Sequence, residues 1–313
     1  MARKEDKIRI VEVGARDGLQ NEKKILDLNT RIELIKKLSE TGLNRIEIGA
    51  FVSPQWVPQM ADSLTLSKSI LGLQSQGQLS KDIQYSCLAP NIRGVLDAVE
   101  SGIKEISIFG ACSESFSKKN INCSVAESFL RFQEVMDIAK AKKIRVRGYL
   151  STAFGCPYEG KVHESRVVRL VRAMYKLGVY EVSISDTIGV ATPKQVEALL
   201  KKVRRIVPIS KIAMHFHDTR GTSLANVYSS LKMGVRVFDS SVGGLGGCPY
   251  AKGASGNLAT EDLLYFLKGL GYTSRIDLEK LMLVTSWLSE KLGRELPSRV
   301  SKAGLPLKGT VFS

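Results

Sequence analysis

Short β-branched runs alternate with longer amphipathic stretches along nearly the whole chain. Residues 8–13 (IRIVEV), 44–49 (NRIEIG), 84–89 (QYSCLA), 105–110 (EISIFG), 144–151 (IRVRGYLS), 180–185 (YEVSIS), 211–216 (KIAMHF) and 235–241 (VRVFDSS) read as strands. Between them, amphipathic patterning predicts helices over 30–39, 92–102, 125–142, 164–177, 193–206, 222–233 and 259–269. The weakest link follows the second strand, where 61–73 has only a fair helical pattern. Several helices run out at a glycine (Gly42, Gly102, Gly178, Gly234), the residue best suited to a left-handed helix end. Strands alternating with helices imply parallel βαβ units, and eight of them predict an α/β chain closed into a (β/α)8 TIM barrel. Residues 1–275 are assigned to the barrel. Residues 276–313, with a helical pattern at 278–292, are expected to form a C-terminal helical extension packed on it.

Composition narrows the class without changing this picture. With 43% hydrophobic and 25% charged residues among 313, the chain is neither a disordered tail, a collagen-like fibre nor a disulfide-built miniprotein. It holds no run of about 18 apolar residues, so no membrane partner is expected. The charged N-terminus shows no apolar signal core or amphipathic presequence, and the C-terminal GTVFS is no peroxisomal address. Five scattered cysteines without a C-x-x-C pair suit neither a disulfide framework nor a zinc ribbon, and a reducing, cytoplasmic setting is the simplest reading. The net charge of +15 fits nucleic-acid binding, an anionic substrate or solvated helix faces. Much of it lies in helical stretches (Arg166, Arg169, Arg172, Lys176; Lys201, Lys202, Arg204, Arg205) and is read as a face in water; no nucleic-acid motif accompanies it.

In a barrel of this kind chemistry sits at the C-terminal ends of the strands. The unusual polar residues fall there repeatedly. Arg16 and Asp17 follow the first strand, Glu47 is near the end of the second and Asp186 follows the sixth. His215 and His217 end the seventh, and Cys248 and Asn257 lie in the loop after the eighth. Residues two apart in a strand face the same way, so His215 and His217 can present imidazoles to one point. With a carboxylate from Asp17 they would suit a divalent metal that keeps open positions for substrate. The alternative is a hydrogen-bonded polar pair without an ion. The glycine-rich stretch 243–257 is suited to mobility, to cradling phosphate or to closing over a site. Cys248 within it is placed for proton transfer, against the alternative of an inert thiol. Cys156 occurs in a similar Cys-Pro-Tyr sequence without an assignable role, and His163 reads as an ordinary surface residue.

Five segments together resemble the hydroxymethylglutaryl-CoA lyase family: VEVGARDGLQNEK (11–23), IEIGAFVSP (46–54), SDTIG (185–189), HFHDTRGTSLAN (215–226) and SVGGLGGCPYAKGASGN (241–257). The resemblance spans nearly the whole chain and places it in a wider group of metal-dependent barrel lyases and synthases sharing an Asp-Arg-Glu set, here Asp17, Arg16 and Glu47. Ala15 stands where that family usually has Pro, Ser185 where Gly is usual and Gly243 where Ala is usual, which bears on fine substrate preference. The chain lacks the long C-terminal regulatory region of the related isopropylmalate and homocitrate synthases, which favours a lyase.

The resemblance implies cleavage of 3-hydroxy-3-methylglutaryl-CoA to acetyl-CoA and acetoacetate, the acyl-CoA serving leucine degradation and ketone-body formation. It implies a divalent ion, Mg²⁺ or Mn²⁺, on Asp17, His215, His217 and Asn257. Arg16 would neutralise the developing enolate, Cys248 would protonate it, Glu47 would orient Asp17 or Arg16, and Asp186 would position or deprotonate substrate. His215 and Asp17 are both candidates to take the hydroxyl proton. Gln20, Asn21 and Lys23 resemble the family's substrate-side loop. A homo-oligomer, a dimer, is expected. The competing readings are a lyase for a homologous 3-hydroxy acyl-CoA, a condensing synthase joining an acyl-CoA to a 2-oxo acid, and a basic nucleic-acid-binding protein. The last leaves the His pair, the Asp-Arg pair and the cysteine loop unexplained.

Overall fold

The structure, a computed structural model, describes residues 7–247 and 256–307. Eight parallel strands close in chain order, each hydrogen-bonded to the next and β8 to β1. They are β1 (Arg9–Glu12), β2 (Arg45–Ala50), β3 (Gln84–Leu88), β4 (Glu105–Ala111), β5 (Arg145–Ser151), β6 (Val182–Asp186), β7 (Ile212–Phe216) and β8 (Val237–Ser240). The helices between and after them are α1 (Leu28–Ser39), α2 (Ser63–Ser75), α3 (Ile92–Ser101), α4 (Glu114–Ile121), α5 (Val125–Ala141), α6 (Glu164–Leu177), α7 (Pro193–Val203), α8 (Ser223–Lys232) and α9 (Thr260–Gly269). Two more, α10 (Leu278–Leu292) and α11 (Arg299–Ala303), complete the described chain. The expected TIM barrel is present, with every expected strand in place.

The differences have local causes. Helix α2 buries Ser63, Leu66, Ser67 and Ile70, so serines occupy half of its inner stripe and dilute the apolar period. Helix α4 lies where no helix is legible in the sequence; it is two turns long and buries only Phe116 and Ser117, too little for a periodicity. The glycines that end helices behave as their chemistry requires: Gly42, Gly102, Gly178 and Gly234 have φ of +90°, +84°, +101° and +96°. Arg169, Arg172, Lys176, Lys201, Lys202, Arg204 and Arg205 are exposed, as expected of solvated helix faces.

Two packing zones hold the barrel. Between strands and helices lies a continuous apolar core that includes Ile46, Ile48, Ile106, Ile108, Ile184 and Phe216. It extends to Leu281, Val284 and Leu288 of α10, so the C-terminal helix shares the barrel's core. Inside the strands the filling is different. Val11, Val13, Ala213 and Val237 form a small apolar cluster. Around it the interior is ionic, where barrels usually carry branched apolar layers. Arg45 Nη1 donates to Glu181 Oε1 at 3.2 Å, Arg147 Nε to the same oxygen at 2.8 Å and Arg147 Nη2 to Asp239 Oδ1 at 2.8 Å. These groups cross the barrel from several strands, so each buried charge meets an opposite one, the condition on which buried ions are tolerated. No helix among the described residues is long and apolar enough to cross a membrane.

Candidate active site

The chain leaves β1 in a π-helical turn, Gly14–Gly18, that brings Arg16 and Asp17 to the C-terminal mouth of the barrel. Gly18 packs against the turn after β8; a Cβ there would lie 2.9 Å from Ser241 Oγ and 3.0 Å from Leu245. The seventh strand delivers His215 and, one residue past its end, His217. Residues 256–258 return beside that strand: Asp218 N donates to Gly256 O at 2.6 Å and Leu258 N to Phe216 O at 3.1 Å. This bridge sets Asn257 opposite His217. One ligand atom each from Asp17, His215 and His217 lie within 4.8 Å of one another. Asn257 Nδ2 donates to Asp17 Oδ2 at 3.0 Å, which adds the fourth expected ligand to the group.

Arg16 is locked beside them. Its Nε donates to Glu47 Oε2 at 2.6 Å, Nη2 lies 2.5 Å from the same oxygen and Nη1 donates to Asp17 Oδ1 at 2.6 Å. Glu47 is held in turn by Ser107 Oγ and by Tyr149 Oη at 3.2 Å. The guanidinium carbon sits 5.4 Å from the Tyr149 ring centroid, a cation–π contact. Burial opposes the charge on Arg16, but Glu47 and then Asp17 outweigh it. Three of the five guanidinium N–H groups are engaged, and two remain for a ligand.

Burial would raise the Asp17 carboxyl; Arg16, then His215 and His217, hold it below its ordinary value. His217 is pushed down to about 3, first by burial and then by His215, so it is a neutral imidazole with a lone pair to offer. His215 differs. Burial lowers it, but Asp239 and Asp17 more than reverse the effect. Its Nδ1 lies 3.4 Å from Asp239 Oδ2. Three buried atoms of the group, His215 Nδ1, His217 Nδ1 and Asn257 Oδ1, make no hydrogen bond among the described residues. One carboxylate, two imidazoles and an amide, with polar atoms left unsatisfied in a buried pocket, fit a divalent cation.

A cavity of about 130 Å³ opens on these residues. Arg16, Asp17, Gln20, Asn21, His215 and His217 line it, with Tyr149, Ser151, Ser185, Thr187, Phe109, and Phe116 and Asn120 of α4. Larger hollows of about 730 and 530 Å³ lie elsewhere, one beside α10 and α11 and one at the opposite end of the barrel. They lack this cluster of ionisable groups and are not the site.

Not every expected residue joins the cluster. Lys23 is exposed and outside the cavity lining, unlike Gln20 and Asn21. Asp186 is buried at the end of β6 but does not line the cavity; its two oxygens accept from Val190 N and Ala191 N, both at 2.9 Å, and tie the turn into α7. Burial raises its carboxyl above the ordinary value. Cys248 lies outside the described residues. Cys156 is buried, accepts from Ser113 Oγ at 3.0 Å and packs with Phe116. The sequence reading passed over Tyr149, Arg147, Ser183 and Asp239. Their signal was available: polar residues at alternate positions of IRVRGYLS, YEVSIS and VRVFDSS mark an inward face that is not apolar.

The HMGL-like family profile matches residues 7–287. The mitochondrial hydroxymethylglutaryl-CoA lyase of Rattus norvegicus is 52% identical over 297 residues, covering 95% of this chain and 89% of that protein. Among solved structures, the hydroxymethylglutaryl-CoA lyase of Pseudomonas aeruginosa superposes with a TM-score of 0.91 at 47% identity, covering 95% of this chain and 97% of that one. An HMG-CoA lyase from Acinetobacter baumannii in complex with coenzyme A and 3-methylmalate gives 0.92 at 37% identity, covering 98% of each. By sequence, fold and coverage, the chain belongs to the HMGL-like family.

Proposed function

We propose that this protein is a metal-dependent carbon–carbon lyase that cleaves 3-hydroxy-3-methylglutaryl-CoA to acetyl-CoA and acetoacetate. One observation carries the reading: Asp17, His215 and His217 converge at one point beside the charged Arg16 in a single cavity, in a chain half identical to lyases of this name. In the reaction the C2–C3 bond breaks. The C3 hydroxyl loses its proton and becomes the ketone of acetoacetate, and the bonding pair passes into the thioester as an enolate. Protonation of that enolate at C2 gives acetyl-CoA.

Asp17, His215, His217 and Asn257 would hold the divalent ion. When bound, Mg²⁺ or Mn²⁺ makes the C3 hydroxyl more acidic and gathers its neighbouring oxygens. The protein's own groups do the rest. Arg16 presents its two remaining N–H donors to the thioester oxygen, where negative charge develops. Glu47 keeps that guanidinium in place, itself fixed by Ser107 and Tyr149. Asp17 takes the hydroxyl proton, or His215 does so while its Nε2 is not engaged by the ion. Cys248 returns a proton to C2. Gln20 and Asn21, which line the cavity, would contact the substrate, and the exposed Lys23, outside that lining, would meet an anionic group of it. Asp186 acts through the turn it ties beside Ser185 and Thr187. Free cysteines at positions 87, 112, 123 and 156 support a reducing, cytoplasmic setting, and the protein is proposed to work as a dimer.

Ser185 gives a homologous acyl-CoA some standing, because it lines the cavity at a position where the family usually has glycine. The deciding experiment measures acetyl-CoA released from hydroxymethylglutaryl-CoA after chelation, with and without added Mg²⁺ or Mn²⁺. Activity restored by the ion is expected; no release with either ion would end the proposal. Parallel incubation of acetyl-CoA with 2-oxo acids tests for a condensing synthase.

A further inference from the structure

His215 and His217 are not equivalent ligands. Neither Nδ1 makes a hydrogen bond of ordinary geometry among the described residues. His215 Nδ1 faces a carboxylate, and that carboxylate is itself built in. Asp239 on β8 is the register partner of His215 on β7, and its side chain is fully buried. Oδ1 accepts from Arg147 Nη2 at 2.8 Å, and Oδ2 accepts from Ser183 Oγ at 2.7 Å and lies 3.4 Å from His215 Nδ1. Arg147 is anchored on its other sides, by Nε to Glu181 Oε1 at 2.8 Å and by Nη1 to Tyr149 Oη at 3.0 Å. Three strands and the segment before β6 thus fix one carboxylate against one face of one histidine.

We infer that Asp239, clamped by Arg147 and Ser183, is a positioning residue that holds His215 as the Nδ1–H tautomer and aims its Nε2 lone pair at the metal position. An ionised carboxylate only accepts, so the ring nitrogen facing it must carry the proton. The opposite nitrogen is then left bare and ligand-competent, as when a metal-bound histidine is oriented by an outer carboxylate. The distance of 3.4 Å is long for a hydrogen bond and is expected to shorten when the ring is drawn toward an ion. The same chain of contacts runs on through Tyr149 to Glu47 and Arg16, so one buried network seats both the metal ligand and the oxyanion donor.

This inference rests on the reading of His215 as a ligand, and its test separates the two. The chain has three histidines, so ¹⁵N-histidine spectra of the metal-free protein resolve each ring, with exposed His163 assigned by His163→Ala. In its neutral form His215 is expected to be Nδ1–H in the native protein and to shift toward Nε2–H in Asp239→Asn, with His217 unchanged. Mn²⁺ titration of the two proteins should show affinity about 10–100-fold weaker in Asp239→Asn, with the circular dichroism melt confirming that it is folded. An Nε2–H His215 in the native protein would overturn the inference even if Asp239→Asn failed to fold. So would a folded Asp239→Asn with native tautomer or native Mn²⁺ affinity. If the native protein bound no Mn²⁺ at all, the ligand reading would fall, while the tautomer would still decide what Asp239 does.

Discussion

Arg16 illustrates how much one side chain's role depends on what holds it. With three N–H groups spent on Glu47 and Asp17, the guanidinium cannot swing, and its two remaining donors keep a fixed direction. Donors set in advance where charge will develop give the largest single contribution in many enzymes. Arg16→Met is expected to lower kcat by about 10²–10³-fold; steady-state kinetics in which only KM rose would contradict the enolate role. The substitution also strands Glu47, a buried carboxylate, so a cost of about 3–5 kcal/mol should appear in the melt. Cys248→Ser keeps the size of the side chain but replaces a thiol by a hydroxyl, a far weaker acid. It should retain Mn²⁺ and lose most turnover, and unchanged kcat would take the thiol out of the chemistry. These residues were legible in the sequence because each is a rare polar residue at a strand end. Asp186 and Asp239 show the limit: both are aspartates on strands that end at the site, yet one ties a backbone turn and the other meets His215.

Elements in this molecule are ended by backbone geometry as much as by side chains. Gly42 closes the turn after α1 with φ of +90°, and a Cβ there would come within 2.4 Å of the Arg275 carbonyl oxygen. Gly77 also has positive φ, +76°, but with nothing within 4 Å of the added atom. Gly77→Ala should therefore cost only the backbone strain, about 1 kcal/mol, while Gly42→Ala adds a backbone collision and should cost about 3 kcal/mol. Urea denaturation of the two variants compares them directly; equal losses would show that the segment at Arg275 yields freely. Gly42 lies at the N-terminal end of the barrel, so kcat of the folded Gly42→Ala protein should be native. The sequence marks Gly42 as a helix end, but only the fold reveals the carbonyl waiting beside it.

At the scale of the whole molecule, stability should carry the mark of two buried carboxyls that meet no cation among the described residues. Glu12 accepts from Gly14 N and Val242 N at 2.8 Å and from Thr260 Oγ1 at 2.6 Å. Glu261 accepts from Gly243 N at 2.9 Å and from Thr285 of α10. Burial raises them to about 7 and about 8. A raised carboxyl binds its proton more tightly in the folded state. Its contribution is therefore complete below the ordinary value near 4.5 and is lost as pH climbs through about 7 to 8. The unfolding free energy of the native protein should fall across that window more steeply than that of Glu261→Gln, measured by urea titration at several pH values. Parallel curves would show that Glu261 is ionised in the fold. Glu261 also joins the turn after β8 to α10, and Leu288 of α10 is fully buried in the barrel's core. Leu288→Ala should cost about 2–5 kcal/mol and leave a single thermal transition. Two transitions would mark residues 276–313 as a separate unit.

The alternation of β-branched runs and amphipathic stretches was enough to determine the eightfold barrel, because strand and helix periods are written in local order and parallel strands need a crossover. Position at strand ends was enough to nominate Asp17, His215 and His217. What only the tertiary structure decided is contact between residues far apart in the chain: Asn257 against Asp17, Arg147 against Asp239, Asp239 against His215. A local pattern tells which face of a strand a side chain occupies, but not which charge on another strand it meets. That pairing is set by closure and register of the barrel, which bring distant charges together where water is excluded and each must find its partner.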